Sequence, residues 1–278
     1  MQQMMLASNY SPSSIKVYVS EVRYLLSYYP QKDPLTLEQD DVICYIRWLQ
    51  LQYRCSWAKI HLCFCGCKFL FRRIIGKPLN LGSIILPRKE HKLPVVMTQQ
   101  EVQTLFDQVP GLKHRMILKL IYSAGLRLSE LKQLRIEDID SKNMRIRIRR
   151  GKGNKERFTL LSAPLLEELR CYYKDYRPQT FLFNGQTKGK PVSDRIIQWI
   201  MYRACKRAAF DTHYSIHSLR HSFATHLLES GIDLVTIQKL MGHGNIHTTL
   251  VYLHVQRNRI KTIPNPIDWM YGTADRSK

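Results

Sequence analysis

Two stretches of this 278-residue chain concentrate side chains that could act on a phosphate ester. Toward the C-terminal end run Ile216-His217-Ser218-Leu219-Arg220-His221, then Leu240-Met241-Gly242-His243-Gly244, then Val251-Tyr252-Leu253-His254. Upstream lie Gly125-Leu126-Arg127-Leu128-Ser129-Glu130-Leu131 and the turn Gly151-Lys152-Gly153-Asn154-Lys155. Arg127, Lys152, His217, Arg220, His243 and Tyr252 together offer two guanidiniums, an ammonium, two imidazoles and a phenol. Cutting a phosphodiester takes a nucleophile, positive charge on the non-bridging oxygens and a proton for the leaving oxygen. A metal-assisted route would ask for a carboxylate cluster, and no convincing motif of that kind stands in the sequence. Two guanidiniums, permanently charged and able to grip phosphate oxygens in pairs, can do the same electrostatic work.

Each residue also has a plainer reading. Arg127, taken alone, reads better as a surface arginine paired with Glu130. His217 and Arg220 are three apart and share a helix face, but His217, His221 and His226 could simply decorate an amphipathic helix. His217 and His221 have zinc-ligand spacing, yet Ser218 stands where a metalloprotease helix needs glutamate. Lys152 occupies a glycine-flanked hairpin tip, a common place for an exposed lysine; Arg147, Arg149, Arg150, Lys155 and Arg157 around it favour contact with nucleic acid. His243 sits between two glycines, nine residues before Tyr252. A phenol with a pKa near ~10 is a poor nucleophile without surrounding positive charge. Among 15 tyrosines, Tyr252 stands out only by following the Gly-His-Gly turn.

The elements that must position these groups are mostly helical. Segment 1–87 reads as a helical domain. Helix starts are expected at Ser11-Pro12 and at Thr36-Leu37-Glu38-Gln39, and a third helical block over 56–75, stopped by Gly76-Lys77-Pro78. Residues 88–94, basic and bounded by prolines, read as a linker. From 95 to 278 a second domain opens on the capping box Thr98-Gln99-Gln100-Glu101. One long apolar helix is expected from there to Gly125. Residues 144–150 alternate apolar and basic as a strand, with a turn at 151–154 and a return strand at 158–161. Helices are expected near 163–175, 193–209, 216–229, 233–241 and 246–254. The fold class is thus mainly α with a small β-hairpin.

A formal net charge of +21, spread along the whole chain, calls for a polyanionic partner. No apolar run is long enough to span a bilayer, so no membrane partner is expected. Met1 to Leu6 lack the pattern of a secretory signal, which points to the cytosol or a bacterial nucleoid. Seven cysteines, an odd number, argue against a disulfide framework. Cys63, Cys65 and Cys67 would point apart on a helix, so they read as small buried hydrophobes ahead of zinc ligands.

The combination of Gly-Leu-Arg-x-Ser-Glu-Leu, a hairpin lysine, His-x-x-Arg, a later histidine and a tyrosine resembles the tyrosine recombinases, or phage-integrase family, of the Xer and integron-integrase type. The resemblance is most specific over about 95–260. Segment 1–87 is similar to the family's helical, SAM-like core-binding domain, and Asn265-Pro266-Ile267-Asp268 looks like the tail of mobile-element members. It implies a site-specific strand exchange on double-stranded DNA without metal, cofactor or ATP. Tyr252 would form a 3′-phosphotyrosine, with Arg127 and Arg220 on the phosphate oxygens and His243 adding a hydrogen bond. Lys152 would protonate the leaving 5′ oxygen, and His217 would assist proton transfer from the phenol. It further implies a homotetramer on two DNA sites, two domains clamping opposite faces of the duplex, an accessory DNA-bending protein in some settings, and a last helix near 260–271 docking on a neighbouring protomer. A type IB topoisomerase and a non-cleaving DNA-binding regulator are the rival readings, with a metal-dependent nuclease a distant third.

Overall fold

The computed structural model describes residues 1–80, 82, 93–149, 156–187 and 189–253. Lys152, most of the 88–94 segment, the 265–268 tail and the 260–271 helix therefore lie outside the described residues. The chain divides into two units, Met1–Lys92 and Leu93–Lys278. Among the described residues the fold is mainly helical with one small antiparallel sheet.

The first unit comprises α1 (Gln2–Ala7), α2 (Pro12–Tyr28), α3 (Gln39–Tyr53) and α4 (Trp57–Leu70), the last continuing into a π-turn over Phe71–Ile75. Ser11 caps α2 by accepting from the Ser14 backbone N–H at 3.1 Å, with Pro12 in the first turn. Asp41 accepts from the Glu38 backbone at 2.7 Å, so α3 begins one residue after Glu38, later than the sequence suggests, behind a short 3-10 turn at Pro34–Thr36. Val22, Leu25, Val42, Ile46, Ile60 and Phe71 close the core. Cys63 and Cys67 are buried in it, as expected of small apolar side chains, with their sulfurs 4.0 Å apart. Cys65 instead faces His61 Nδ1 at 3.7 Å. Lys59 Nζ reaches both Glu21 carboxylate oxygens at 2.7 Å and ties α4 to α2. Helix α1 is an addition to the sequence reading; Met5 anchors it among Ile15 and Phe69.

The second unit opens on the expected capping box: Glu101 N–H donates to Thr98 Oγ1 at 3.2 Å, and Thr98 N–H to Glu101 Oε2 at 2.7 Å. The single long helix expected next is two: α5 (Gln99–Asp107) and α6 (Leu112–Ala124). Pro110 removes a helical donor, and Gly111 at φ +87° takes a conformation that breaks the ladder. Then come α7 (Leu128–Gln133), β1 (Ile139–Asp140), β2 (Arg145–Ile148) and β3 (Arg157–Leu160). The hairpin gains a third strand absent from the sequence reading, since β1 pairs with β2 through Ile139 opposite Ile146. The β2–β3 register sets Ile146 against Thr159 and Ile148 against Arg157. Helices α8 (Ala163–Tyr176), α9 (Asp194–Arg207), α10 (Ile216–Glu229), α11 (Leu234–Met241) and α12 (His247–Leu250) complete the described chain. Helix α10 packs on α6, and α11 packs on β3. Helix α12 is a single turn, shorter than the 246–254 helix expected, and passes into further turn through Leu253. Among the described residues no helix is long and apolar enough to cross a membrane.

Candidate active site

The site forms where α6 ends, α7 begins and the C-termini of α10's neighbours converge. Gly125 closes α6 in a left-handed conformation, φ +59°, that releases the chain toward Arg127. A side chain there would also run into the Phe223 ring of α10. Arg127 then takes the cap position of α7, and Glu130, in its first turn, accepts from the Arg127 backbone at 2.8 Å.

Glu130 is the anion of the site. Its buried carboxylate pairs with Arg127 Nη1 at 2.7 Å and with Arg157 through two bonds of 2.7 and 2.9 Å. Arg220 Nη1 lies 3.6 Å from its second oxygen. Burial by itself would raise this carboxyl, but the Arg157 hydrogen bonds and charge, with those of Arg127, outweigh it and hold it at about 2. The three guanidiniums are satisfied further by helix-end carbonyls. Arg127 Nη2 donates to Gly242 O at 2.9 Å, Arg157 Nε to Leu240 O at 2.9 Å, and Arg220 Nη2 to Met241 O at 2.5 Å. Arg220 Nη1 also donates to Gly125 O. Three consecutive carbonyls at the C-terminus of α11, the negative end of its dipole, thus each take one arginine. Gly242, at φ +61°, ends α11 where an added Cβ would stand 2.8 Å from Arg157 Cδ. Arg220 is 4% exposed, and burial, then Arg127, pull its guanidinium down to about 9.

The phenol side is built differently. Tyr252 is 1% exposed and packs with Phe223, Ala224, Ile237 and Met241. Its hydroxyl lies 3.0 Å from His221 Nδ1. His243 stands parallel to the Tyr252 ring, 6.4 Å between centroids at 12°, and its Nδ1 is 2.9 Å from Thr249 Oγ1. Burial pushes the Tyr252 phenol up to about 12, against the pull of Arg220 and Arg127. His221 and His243 are both lowered to about 4, first by burial and then by neighbouring positive groups. His217 is exposed, one turn before His221 on α10; partial desolvation and then Arg220 and Arg127 hold its imidazole below the usual value.

Five of the six residues singled out from the sequence are described, and they converge: Arg127, His217, Arg220, His243 and Tyr252 come from α7's cap, α10, the turn after α11 and the turn after α12. Three further residues belong to the same cluster. Glu130 was visible in the sequence only as a partner of Arg127, and Arg157 only as one of several hairpin cations. His221 was visible as one of three helix histidines; its four-residue offset from His217 is the signal that puts both on one face. Among the described residues no group of three or more His, Cys, Asp or Glu side chains is placed to hold a metal ion.

Comparison with known proteins gives this constellation its class. A model described as the phage integrase family matches residues 95–259, and one described as the phage integrase N-terminal SAM-like domain matches 1–81. A Sinorhizobium fredii protein carrying the integrase/recombinase name y4qK is 34% identical over 269 residues, covering 96% of this chain and 87% of its own. The tyrosine recombinase XerC of Staphylococcus saprophyticus is 36% identical over 192 residues, 65% of this chain and 64% of its own. The fold is also that of a XerH site-specific recombinase bound to palindromic difH substrate, with a TM-score of 0.75, 23% identity and coverage of 92% and 80%. The chain belongs to the phage integrase family: it is a tyrosine-type site-specific DNA recombinase.

Proposed function

We propose that this recombinase cuts and rejoins DNA strands through a 3′-phosphotyrosine on Tyr252, without metal or ATP. The observation that carries the reading is the convergence of Arg127 and Arg220 on one buried carboxylate, with Tyr252 packed beside the same α11 terminus. A phosphodiester entering between the two guanidiniums meets fixed positive charge where negative charge develops in the transition state. His243, whose Nδ1 is occupied by Thr249, is left with Nε2 to donate to a phosphate oxygen. Lys152, on the β2–β3 connection, is assigned the proton for the leaving 5′ oxygen. His217 is assigned a contact at the exposed edge of the site. The covalent link keeps the energy of the ester, so rejoining needs no nucleotide cofactor.

In this reading residues 1–87 form a core-binding DNA domain, 88–94 the linker and 95–278 the catalytic domain. Double-stranded DNA is the substrate, and a homotetramer on two sites carries the exchange, with a DNA-bending accessory protein where the site requires one. The protein works at the nucleoid of a bacterial cell, and the likeness of the 265–268 segment to mobile-element tails supports mobilisation of such an element. With roughly eight phosphates neutralised, log affinity against log salt should fall with a slope of about −7.

The test is recombination between two copies of a duplex selected from a random-sequence pool by detergent-resistant capture. Recombinant product in buffer containing EDTA and no ATP is expected, and none from Tyr252→Phe. Supercoil relaxation on a single-site plasmid without recombinants would favour a topoisomerase. Tight binding with no cleavage by the wild type would favour a regulator.

A further inference from the structure

We propose that Arg157 is a positioning residue for strand cleavage: by occupying both oxygens of Glu130, it keeps that carboxylate from drawing Arg127 and Arg220 off the DNA phosphate. The proposal rests on the phosphotyrosine reading and adds to it a residue that touches no substrate atom. Strand geometry first sets Arg157 apart from the other hairpin cations. It opens β3 and shares the inward face of that strand with buried Thr159, whose hydroxyl donates to Ala124 O at 2.8 Å. Its side chain is 9% exposed, whereas Arg147 and Arg149 stay partly in solvent and pair with Glu156 and Asp138.

The three arginines then meet Glu130 unequally. Arg157 grips it fork to fork, Nη1 on Oε1 at 2.7 Å and Nη2 on Oε2 at 2.9 Å, the strongest geometry a guanidinium and a carboxylate adopt. Arg127 gives it one side-chain bond, from Nη1 at 2.7 Å, and Arg220 Nη1 stands 3.6 Å away, beyond hydrogen-bond distance. The two guanidiniums that serve the phosphate are thus oriented by Glu130 without being claimed by it. Three guanidinium charges against one carboxylate also leave a surplus of two. A phosphodiester brings one negative charge and gains more on its non-bridging oxygens as the phenol oxygen attacks, so that surplus matches the transition state better than the ground state. Without Arg157 the surplus falls to one, and the buried carboxylate, stripped of a partner, takes the next cation in reach. That cation is Arg220, which would have to leave Gly125 O to close the gap. Arg157 Nε, on Leu240 O at 2.9 Å, also fixes β3 to the end of α11 that leads into His243.

Single-turnover adduct formation tests this, on a nicked suicide version of the duplex captured from the random pool and on the same duplex with a neutral methylphosphonate at the scissile position. On the phosphodiester, Arg157→Met should form adduct ~100-fold more slowly than wild type, the loss expected when charge stabilisation fails. Its DNA affinity should stay within ~3-fold, because the residue meets no phosphate. On the methylphosphonate, which needs less positive charge, the deficit should shrink to ~5-fold or less. Glu130→Gln added to Arg157→Met removes the competing anion and should recover ~10-fold of the phosphodiester rate. Arg157→Lys keeps the charge without the fork; it should be ~10-fold slow on the phosphodiester, show the same shrinkage, and carry the comparison if Arg157→Met does not melt cooperatively. Equal deficits on the two substrates would reduce Arg157 to a structural residue and overturn the proposal, as would wild-type rates in Arg157→Met or no recovery from Glu130→Gln. A wild-type enzyme that forms no adduct on the phosphodiester would remove the phosphotyrosine reading as well, which separates the two failures.

Discussion

The guanidinium half of the site and the phenol half lie side by side yet are held by different forces. Arg127, Arg157 and Arg220 are locked by one buried carboxylate and by the carbonyls of Leu240, Met241, Gly242 and Gly125. Such groups cost much to desolvate and are strongly coupled once paired, so removing one partner strands the rest. Tyr252 follows a one-turn helix and rests on apolar packing plus one hydrogen bond to His221. The difference teaches a division of labour. The charged half is a rigid seat, present before substrate arrives. Tyr252 sits in a pocket from which few polar contacts must break for it to move, and in the proposed reading its 1% exposure requires such movement before it can meet phosphorus.

That contrast can be broken or sharpened by mutation. The largest effect should come from Glu130→Leu, which leaves three guanidiniums without their anion. A loss of about 3–5 kcal/mol is expected in urea unfolding, and a loss of 1 kcal/mol or less (about the value of one ordinary hydrogen bond) would show that the seat is not held by charge pairing. Gly125→Ala should come next. It forces a left-handed backbone on alanine and drives a methyl into the Phe223 ring, for a cost of about 2 kcal/mol by the same measurement.

Acid should then separate the halves. His221 and His243 have folded values near 4, below the ordinary 6.5, so the unfolded chain takes up their protons first. Their contribution is complete above pH 6.5 and is lost as pH falls toward 4. Glu130, lowered from 4.5 to about 2, contributes above pH 4.5 and loses that contribution only as pH falls toward 2. Melting temperature should thus decline in two stages, and His221→Gln should shrink the first stage, leaving the His243 share, without changing the second. A single decline confined to pH below 4.5 would contradict the assigned states of the histidines.

The smallest effect should come from Tyr252→Phe. It removes one hydroxyl whose partner is an imidazole, so stability should fall by about 1 kcal/mol or less while cleavage disappears. Destabilisation approaching that of Glu130→Leu would mean that the phenol is a structural anchor after all.

Much of this was legible in the chain. The Thr98–Glu101 box, the Ser11 cap and the alternation in 144–150 are local rules that tertiary structure did not override. Arg127, His217, Arg220, His243 and Tyr252 were legible as a set through their resemblance to the family's motif, since each taken alone has a plainer reading. The break between α5 and α6 was written in Pro110-Gly111, but the apolar residues on both sides resemble one continuous stripe. The β1 pairing was not legible, since two residues carry no period. Nor were the second and third partners of Glu130. Local spacing pairs Glu130 with Arg127, whereas Arg157 and Arg220 reach it from a strand and a helix distant in the chain. The contact of His221 with Tyr252 was hidden for the same reason: the two lie 31 residues apart in the chain.

The central claim is that Tyr252 becomes bonded to phosphorus within this cluster. Mass spectrometry of the protease-digested adduct, formed on the nicked duplex and trimmed with nuclease, addresses it directly. The account predicts that the nucleotide mass rides on the peptide containing Tyr252, linked to a DNA 3′ phosphate. Nucleotide mass on another residue, or DNA cleaved with no covalent peptide at all, would contradict it.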